Sequence, residues 1–137
     1  MEKTLILYPA FAMMFLTWFL YFKNHSDNRK AAKNKSIKFS YFKAYQGEVP
    51  DYVTVSRQTL KNQFELPIFF YFLISVILAF DKVSQLDLIL AWIFVVSRYL
   101  HCYIRLSSNY VPYRAKVFKL GMLVLIVWWS IFIYNII

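Results

Sequence analysis

The residues best suited to chemistry in this sequence stand at the start of a long apolar stretch. Arg57, Lys61 and Glu65 are spaced i, i+4 and i+8, and Asn62 lies three residues before the carboxylate. On a helix of 3.6 residues per turn, this spacing puts all four side chains on one stripe. Pro67 follows two residues later, where it removes one backbone hydrogen bond and predicts a kink beside the carboxylate.

A second polar set lies further along the chain. Arg98, His101 and Arg105 are spaced i, i+3 and i+7, so they share one helix face. Together the two sets and one later arginine give eight candidate binding residues: Arg57, Lys61, Asn62, Glu65, Arg98, His101, Arg105 and Arg114. Five of these are formally cationic and one is acidic, a balance that favours an anionic ligand.

Other chemistries find little support in these residues. No glycine-rich phosphate loop and no pair of histidines at metal-ligand spacing occurs, so no metal site is expected. Cys102 is the single cysteine and is expected to pack rather than react. His101 fits either an acid-base role or a hydrogen-bonded structural role. The polar stripe fits equally well a network that only joins helices.

The elements that must carry these residues are membrane helices. Of the 137 residues, 60% are hydrophobic and 21% aromatic, and only two are glycine. The apolar residues form blocks close to the ~20 residues that a helix needs to cross a bilayer. This pattern predicts one all-α integral membrane domain over residues 1–137, a bundle of four transmembrane helices at about 4–22, 52–80, 86–108 and 114–136.

The charged loops predict how the chain is oriented. Seven lysines and arginines occur between residues 23 and 50, against one aspartate and one glutamate. Because cytoplasmic loops are enriched in basic residues, the first and third loops are expected in the cytoplasm. Basic and aromatic residues alternate over 37–45, which fits either nucleic-acid binding or a segment at the headgroup surface. The second interpretation is favoured, so no nucleic-acid partner is expected.

The same residues resemble a known family. The pattern Arg57-x4-Asn62-x2-Glu65-x-Pro67-x-Phe69, followed by Arg98-x2-His101 and then Arg114, resembles the MAPEG family, the membrane-associated proteins of eicosanoid and glutathione metabolism. The resemblance covers nearly the whole chain. It is closest to a bacterial, functionally unassigned branch with an Arg-Asn-x-x-Glu-Leu-Pro type of second helix, which implies the bacterial inner membrane.

This resemblance implies a homotrimer that binds glutathione between neighbouring subunits near the cytoplasmic face. It assigns the peptide part of glutathione to Asn62 and Glu65 and its carboxylates to basic residues, with Arg98 and His101 nearby. It further implies that Arg114 stabilises the thiolate, and that a small lipophilic substrate arrives from the lipid bilayer.

Two departures from the family pattern leave two functions open. In the better-known eicosanoid enzymes an arginine stands four residues before the Asn and a tyrosine often follows the Glu, whereas this chain has Gln58 and Leu66. Arg57 or Lys61 is the expected substitute for the arginine. One hypothesis is a glutathione-dependent transferase or peroxidase acting on a lipophilic electrophile. The alternative is a non-catalytic protein of the same fold, structural or lipid-binding.

Overall fold

The computed structural model describes residues 2–137, and these form helices joined by short connections. A single turn of 3₁₀ helix, Lys3–Ile6, leads into the first α-helix. The α-helices are α1 (Leu7–Lys33), α2 (Tyr41–Ala44), α3 (Asp51–Lys61), α4 (Leu66–Ala79), α5 (Gln85–Leu106) and α6 (Val111–Tyr134).

Four helical segments are long and apolar enough to cross a membrane: Lys3–Lys33, Asp51–Ala79, Gln85–Leu106 and Val111–Tyr134. Their outer surfaces carry exposed aromatic side chains, including Phe15, Phe19 and Phe72. Rings exposed in this number would be costly in water but suit a hydrocarbon solvent. The prediction of an all-α, four-span membrane bundle is therefore confirmed.

The first helix is longer than its apolar block. The predicted end near residue 22 is wrong, because α1 continues through charged residues to Lys33. Lys23 Nζ lies 2.7 and 2.5 Å from the two carboxylate oxygens of Asp27, one turn further on. Beyond this pair, buried Ala31 packs with Val53 of α3. An i, i+4 ion pair and a packed face thus stabilise a helical extension that hydropathy alone does not detect.

The second span is interrupted rather than kinked. Residues Asn62–Phe64 form a 3₁₀ turn, and Glu65 leaves the helical region with φ −104° and ψ −98°. Pro67, in the first turn of α4, has no N–H for the carbonyl of Gln63, which removes one helical hydrogen bond next to this break. Asn62 and Glu65 consequently end one helix and begin the next.

The bundle core lies in the half away from this interruption. Phe70 of α4 stacks on Phe94 of α5 at 4.8 Å between ring centroids, and both pack near Trp128 of α6. The indole Nε1 of Trp128 donates to Asp87 Oδ1 at 2.6 Å, so the buried carboxylate at the start of α5 has a partner. Asp87 also completes a capping box with Ser84.

Close packing of α5 against α6 sets the geometry of the other half. Gly121 of α6 is buried, and a Cβ added there would lie 2.6 Å from Ser97 Oγ. Only glycine allows the two backbones to approach this closely without displacing that hydroxyl. The contact fixes Arg98, the next residue of α5, against the first half of α6.

Candidate functional site

A polar cavity lies where the interrupted span meets α5 and α6. Its volume is about 320 Å³, at the lower end of the range for small-ligand sites. The residues that line it are Asn62, Glu65, His101, Arg105, Arg114, Ala115, Phe118 and Lys119. Five of the eight residues proposed from sequence therefore share this cavity: Asn62, Glu65, His101, Arg105 and Arg114.

Asn62 is the centre of the hydrogen-bond network in the cavity. With its amide oriented to satisfy both neighbours, its nitrogen donates to Glu65 Oε2 at 3.1 Å and its oxygen accepts from Arg105 Nη1 at 2.9 Å. Arg105 Nη2 donates to Gln58 Oε1 at 2.6 Å. One guanidinium on α5 thereby joins the last two turns of α3 to the break that follows them.

Arg98 lies behind the cavity wall. It is 1% exposed, and its Nη2 donates to the backbone oxygen of Asn62 at 3.4 Å. Its Cζ is 5.5 Å from the ring centroid of Phe118, whose other neighbour is the His101 ring at 5.7 Å. The Nε and Nη1 atoms of Arg98 are buried without a hydrogen-bond partner among the described residues. Arg98 therefore adds positive charge next to the cavity and forms no ion pair in the described part of the chain.

Two further polar atoms in the cavity wall are buried and unpaired in the described part of the chain. They are Nδ1 of His101, a residue that is 2% exposed, and Nε of Arg105. An unpaired buried polar group costs about 1–3 kcal/mol, and more when it is charged. Such atoms are expected where a ligand or ordered water completes the hydrogen bonding.

Arg114 enters the cavity from the first turn of α6. The loop before it is short, since α5 ends at Leu106 and α6 begins at Val111. Asn109 adopts a left-handed conformation with φ +50°, and its side-chain oxygen accepts from Arg114 Nη1. The asparagine thus fixes the direction of the arginine side chain.

Arg57 and Lys61 do not lie with the other candidates. Arg57 Nη1 donates to the hydroxyl of Tyr41 at 3.0 Å and to the backbone oxygen of Tyr45 at 3.4 Å. Lys61 is exposed and does not line the cavity. Their i, i+4, i+8 stripe assumed a continuous helix, and the turn at Asn62–Phe64 rotates Glu65 away from it. Neither residue replaces the arginine missing at position 58.

The structure suggests a different replacement for that arginine. Because Gln58 Oε1 accepts from Arg105, a guanidinium from α5 occupies the space next to position 58. Sequence reasoning treated Gln58 only as a departure and did not select Phe118 or Lys119. A signal for Phe118 was present, since it follows Arg114 at i+4 on one helix face, whereas the i+5 spacing of Lys119 gave none.

The thiol of Cys102 lies outside this cavity. It is buried, and Gln63 Nε2 lies 3.3 Å from its sulfur. It borders an apolar groove between α1 and α5. Among residues 2–137, no group of three histidine, cysteine or acidic side chains is arranged to hold a metal ion.

The fold and the cavity define a four-span helical membrane protein with a cationic site at one end of the bundle. A model of the MAPEG family matches residues 6–134 of this chain, so the protein belongs to that family. The resemblance seen in the sequence is thereby confirmed. No curated protein and no solved structure matches the chain.

The network around Asn62 predicts energetic coupling between two helices. We expect Asn62→Ala and Arg105→Ala to be non-additive in the free energy of unfolding, with a coupling of about 0.5–3 kcal/mol, because each removes the other's partner. The measurement is a double-mutant cycle on detergent-purified protein. As a matched control, Asn62→Ala and Arg57→Ala share no partner and should add within about 0.5 kcal/mol. Additivity in the first pair would show that the network does not form.

Proposed function

We propose that this protein is an integral-membrane, glutathione-dependent enzyme, a transferase or a peroxidase that acts on a lipophilic electrophile. The observation that carries the proposal is the charge of the cavity. Arg105, Arg114 and Lys119 line it together with a single carboxylate, Glu65, and buried Arg98 lies directly behind its wall. This surplus of positive charge favours an anionic ligand.

The residues present fit glutathione, which carries two carboxylates and one ammonium group at neutral pH. Arginine guanidinium groups match carboxylates in shape and charge, and Arg105 Nε is a buried donor still without a partner. Glu65 is the one acidic group in the cavity and suits the ammonium group. Asn62, already bonded to Glu65, is placed to bond the peptide part.

Arg114 is the residue proposed to act on the reacting atom. Bound glutathione supplies a thiol, which either adds to an electrophile or reduces a peroxide. The free thiol has a pKa of about 8.5, so it is mostly protonated at neutral pH. A guanidinium next to the sulfur stabilises the thiolate and so raises the fraction of nucleophile. Asn109 holds the Arg114 side chain from its other side.

The assembly and location are part of the proposal. The family resemblance supports a homotrimer in which a neighbouring subunit completes each glutathione site. The basic residues within 23–50, together with Arg105, Arg114 and Lys116 on either side of the connection between α5 and α6, support a topology with the first and third loops in the cytoplasm. A bacterial inner membrane and the functionally unassigned branch of the family complete the proposed setting.

A second candidate, a non-catalytic role in structure or lipid binding, is favoured by one observation. Asn62, Glu65, Arg105 and Gln58 already bond one another across the helices, as a purely structural network would. Leu66 also provides no hydroxyl at the position after Glu65. Under this alternative the polar residues hold the bundle or the trimer together.

Glutathione binding separates these candidates. We expect saturable binding to the purified protein. Glu65→Ala should weaken it at least about 10-fold, since it removes a hydrogen bond to the charged ammonium group worth about 1.5–3 kcal/mol, and Asn62→Ala should weaken it about 2- to 10-fold, since it removes one to the neutral peptide worth about 0.5–1.5 kcal/mol. Calorimetry or equilibrium dialysis measures the affinity. Lys61→Ala is the matched control, because this neighbouring cation does not line the cavity, and it should bind normally.

The outcomes of that experiment are distinct. Absence of saturable binding in the unmutated protein rejects glutathione use, whereas unchanged affinity in both variants rejects the site. Under the structural alternative, the same substitutions dissociate or destabilise the oligomer in native mass measurements without any ligand effect. Helical content of each variant, measured by circular dichroism, distinguishes misfolding from lost binding.

The role of Arg114 predicts a change in protonation rather than in affinity. Arg114→Gln should lower the thiolate fraction of bound glutathione at neutral pH to near that of the free thiol, because the guanidinium that stabilises the anion is gone. Ultraviolet difference absorbance of the thiolate is the measurement. Binding of S-methylglutathione, which has no thiol to ionise, should change far less. Equal thiolate signals in the variant and the unmutated protein would contradict the role.

A further inference from the structure

The segment between the first two spans is folded onto α1 and α3. Ile37 and Tyr41 are buried in a small cluster with Ala31 of α1 and Val53 of α3. The hydroxyl of Tyr41 accepts from Arg57 of α3. We call residues 29–45 the basic cap. Its buried residues give it a defined shape.

The cap presents an unbalanced positive surface. No acidic residue occurs between Asp27 and Glu48, and six exposed cations lie in that interval: Arg29, Lys30, Lys33, Lys35, Lys38 and Lys43. None of the six forms an ion pair in the described chain, where the ion pairs are Lys3 with Asp81 and Lys23 with Asp27. Among the described residues, the charged end of one of them, Lys30 Nζ, lies 5.2 Å from the Tyr52 ring centroid, in a cation–π contact.

An aromatic ring projects from the middle of this surface. Phe39 is 88% exposed, although Ile37 and Tyr41 on either side of it are buried. Its one ring neighbour is Phe42, at 6.4 Å between centroids. Lys35, Lys38 and Lys43 are the cations nearest to it in the chain. A bulky ring among lysines is the composition of a segment that binds an anionic membrane surface.

The distance of the cap from the apolar part of α1 also places it within reach of the lipid headgroups. The apolar part of α1 ends at Phe22, and Ala31, against which Ile37 and Tyr41 of the cap pack, is eight residues beyond Lys23. That distance is ~12 Å along the helix. A headgroup layer is ~5–8 Å thick, and electrostatic attraction extends a further ~8–10 Å at physiological salt. The lysines are therefore within range of lipid headgroups.

We propose that the basic cap binds anionic lipid headgroups of the bilayer that holds the protein, with Phe39 inserted among them and Lys35, Lys38 and Lys43 paired with their phosphates. Tethering by α1 and α3 keeps the cap beside this surface, which raises the effective concentration of lipid around it. Under the proposed topology the surface is the cytoplasmic leaflet. This binding surface is separate from the glutathione cavity and does not depend on it.

A fluorophore at position 39 tests the proposal. In a Cys102→Ser background, Phe39→Cys is labelled with an environment-sensitive dye, and the protein is reconstituted into symmetric vesicles of phosphatidylcholine alone or mixed with phosphatidylglycerol. Symmetric vesicles make the result independent of orientation. We expect a blue shift in the anionic vesicles only, lost at high salt and lost when Lys35, Lys38 and Lys43 are all changed to glutamine.

Controls make each outcome decisive. The same dye at exposed Gln46, outside the cap, should show no response to lipid charge. Circular dichroism checks that each labelled protein keeps its helical content. Identical spectra of the position 39 label in the two vesicle types would overturn the proposal and favour a soluble acidic partner. A shift that persists in the triple-glutamine variant would overturn the ionic basis of the interaction.

Discussion

Several cations and one carboxylate lie together where the second membrane span is interrupted, and the neighbouring helices must provide hydrogen-bond partners for them. Arg98 and Arg105 of α5 project toward the break between α3 and α4, where Asn62 presents a backbone oxygen to the first and a side-chain oxygen to the second. A continuous helix at that point would bond its own backbone oxygens internally. At the interruption before Pro67, Asn62 supplies both of these acceptors, but other buried nitrogens of Arg98 and Arg105 have no partner among the described residues. This shortage of acceptors is the basis for proposing that the cavity binds an anion.

Much of the architecture could be predicted from the sequence, because hydropathy over four long blocks leaves few alternatives in a hydrocarbon solvent. The sequence-based predictions were wrong where ion pairs or tertiary packing, and not hydropathy, determine the structure. The polar end of α1 is held by Lys23, Asp27 and contacts with α3, none of which a hydropathy profile detects. The prediction that Arg57 lies with the other candidate residues was wrong because Arg57 instead bonds Tyr41, which belongs to a segment whose packing no local sequence pattern predicts.

For the candidate site too, residue spacing predicts which side chains share a helix face, but not which side chains of different helices meet. Asn62, Glu65, His101, Arg105 and Arg114 could be selected from residue type and spacing, and the fold brings them together. That Arg105 lies beside Gln58 depends on how α5 packs against α3, which spacing along either helix cannot reveal. In this chain the guanidinium next to position 58 belongs to Arg105 of α5, and not to a residue of α3. The family pattern can therefore appear broken in sequence while the local charge remains.

The claim that unbalanced cationic charge makes this cavity a glutathione site is tested most directly by removing the charge from the ligand. Isothermal titration calorimetry would compare glutathione with its dimethyl ester, in which both carboxylates are neutral. We expect saturable binding of glutathione and at least about 100-fold weaker binding of the ester, because two charge-assisted interactions with the cationic cavity are lost. Equal affinities for the two compounds, or saturable binding of neither, would contradict the proposal that the cationic cavity binds glutathione.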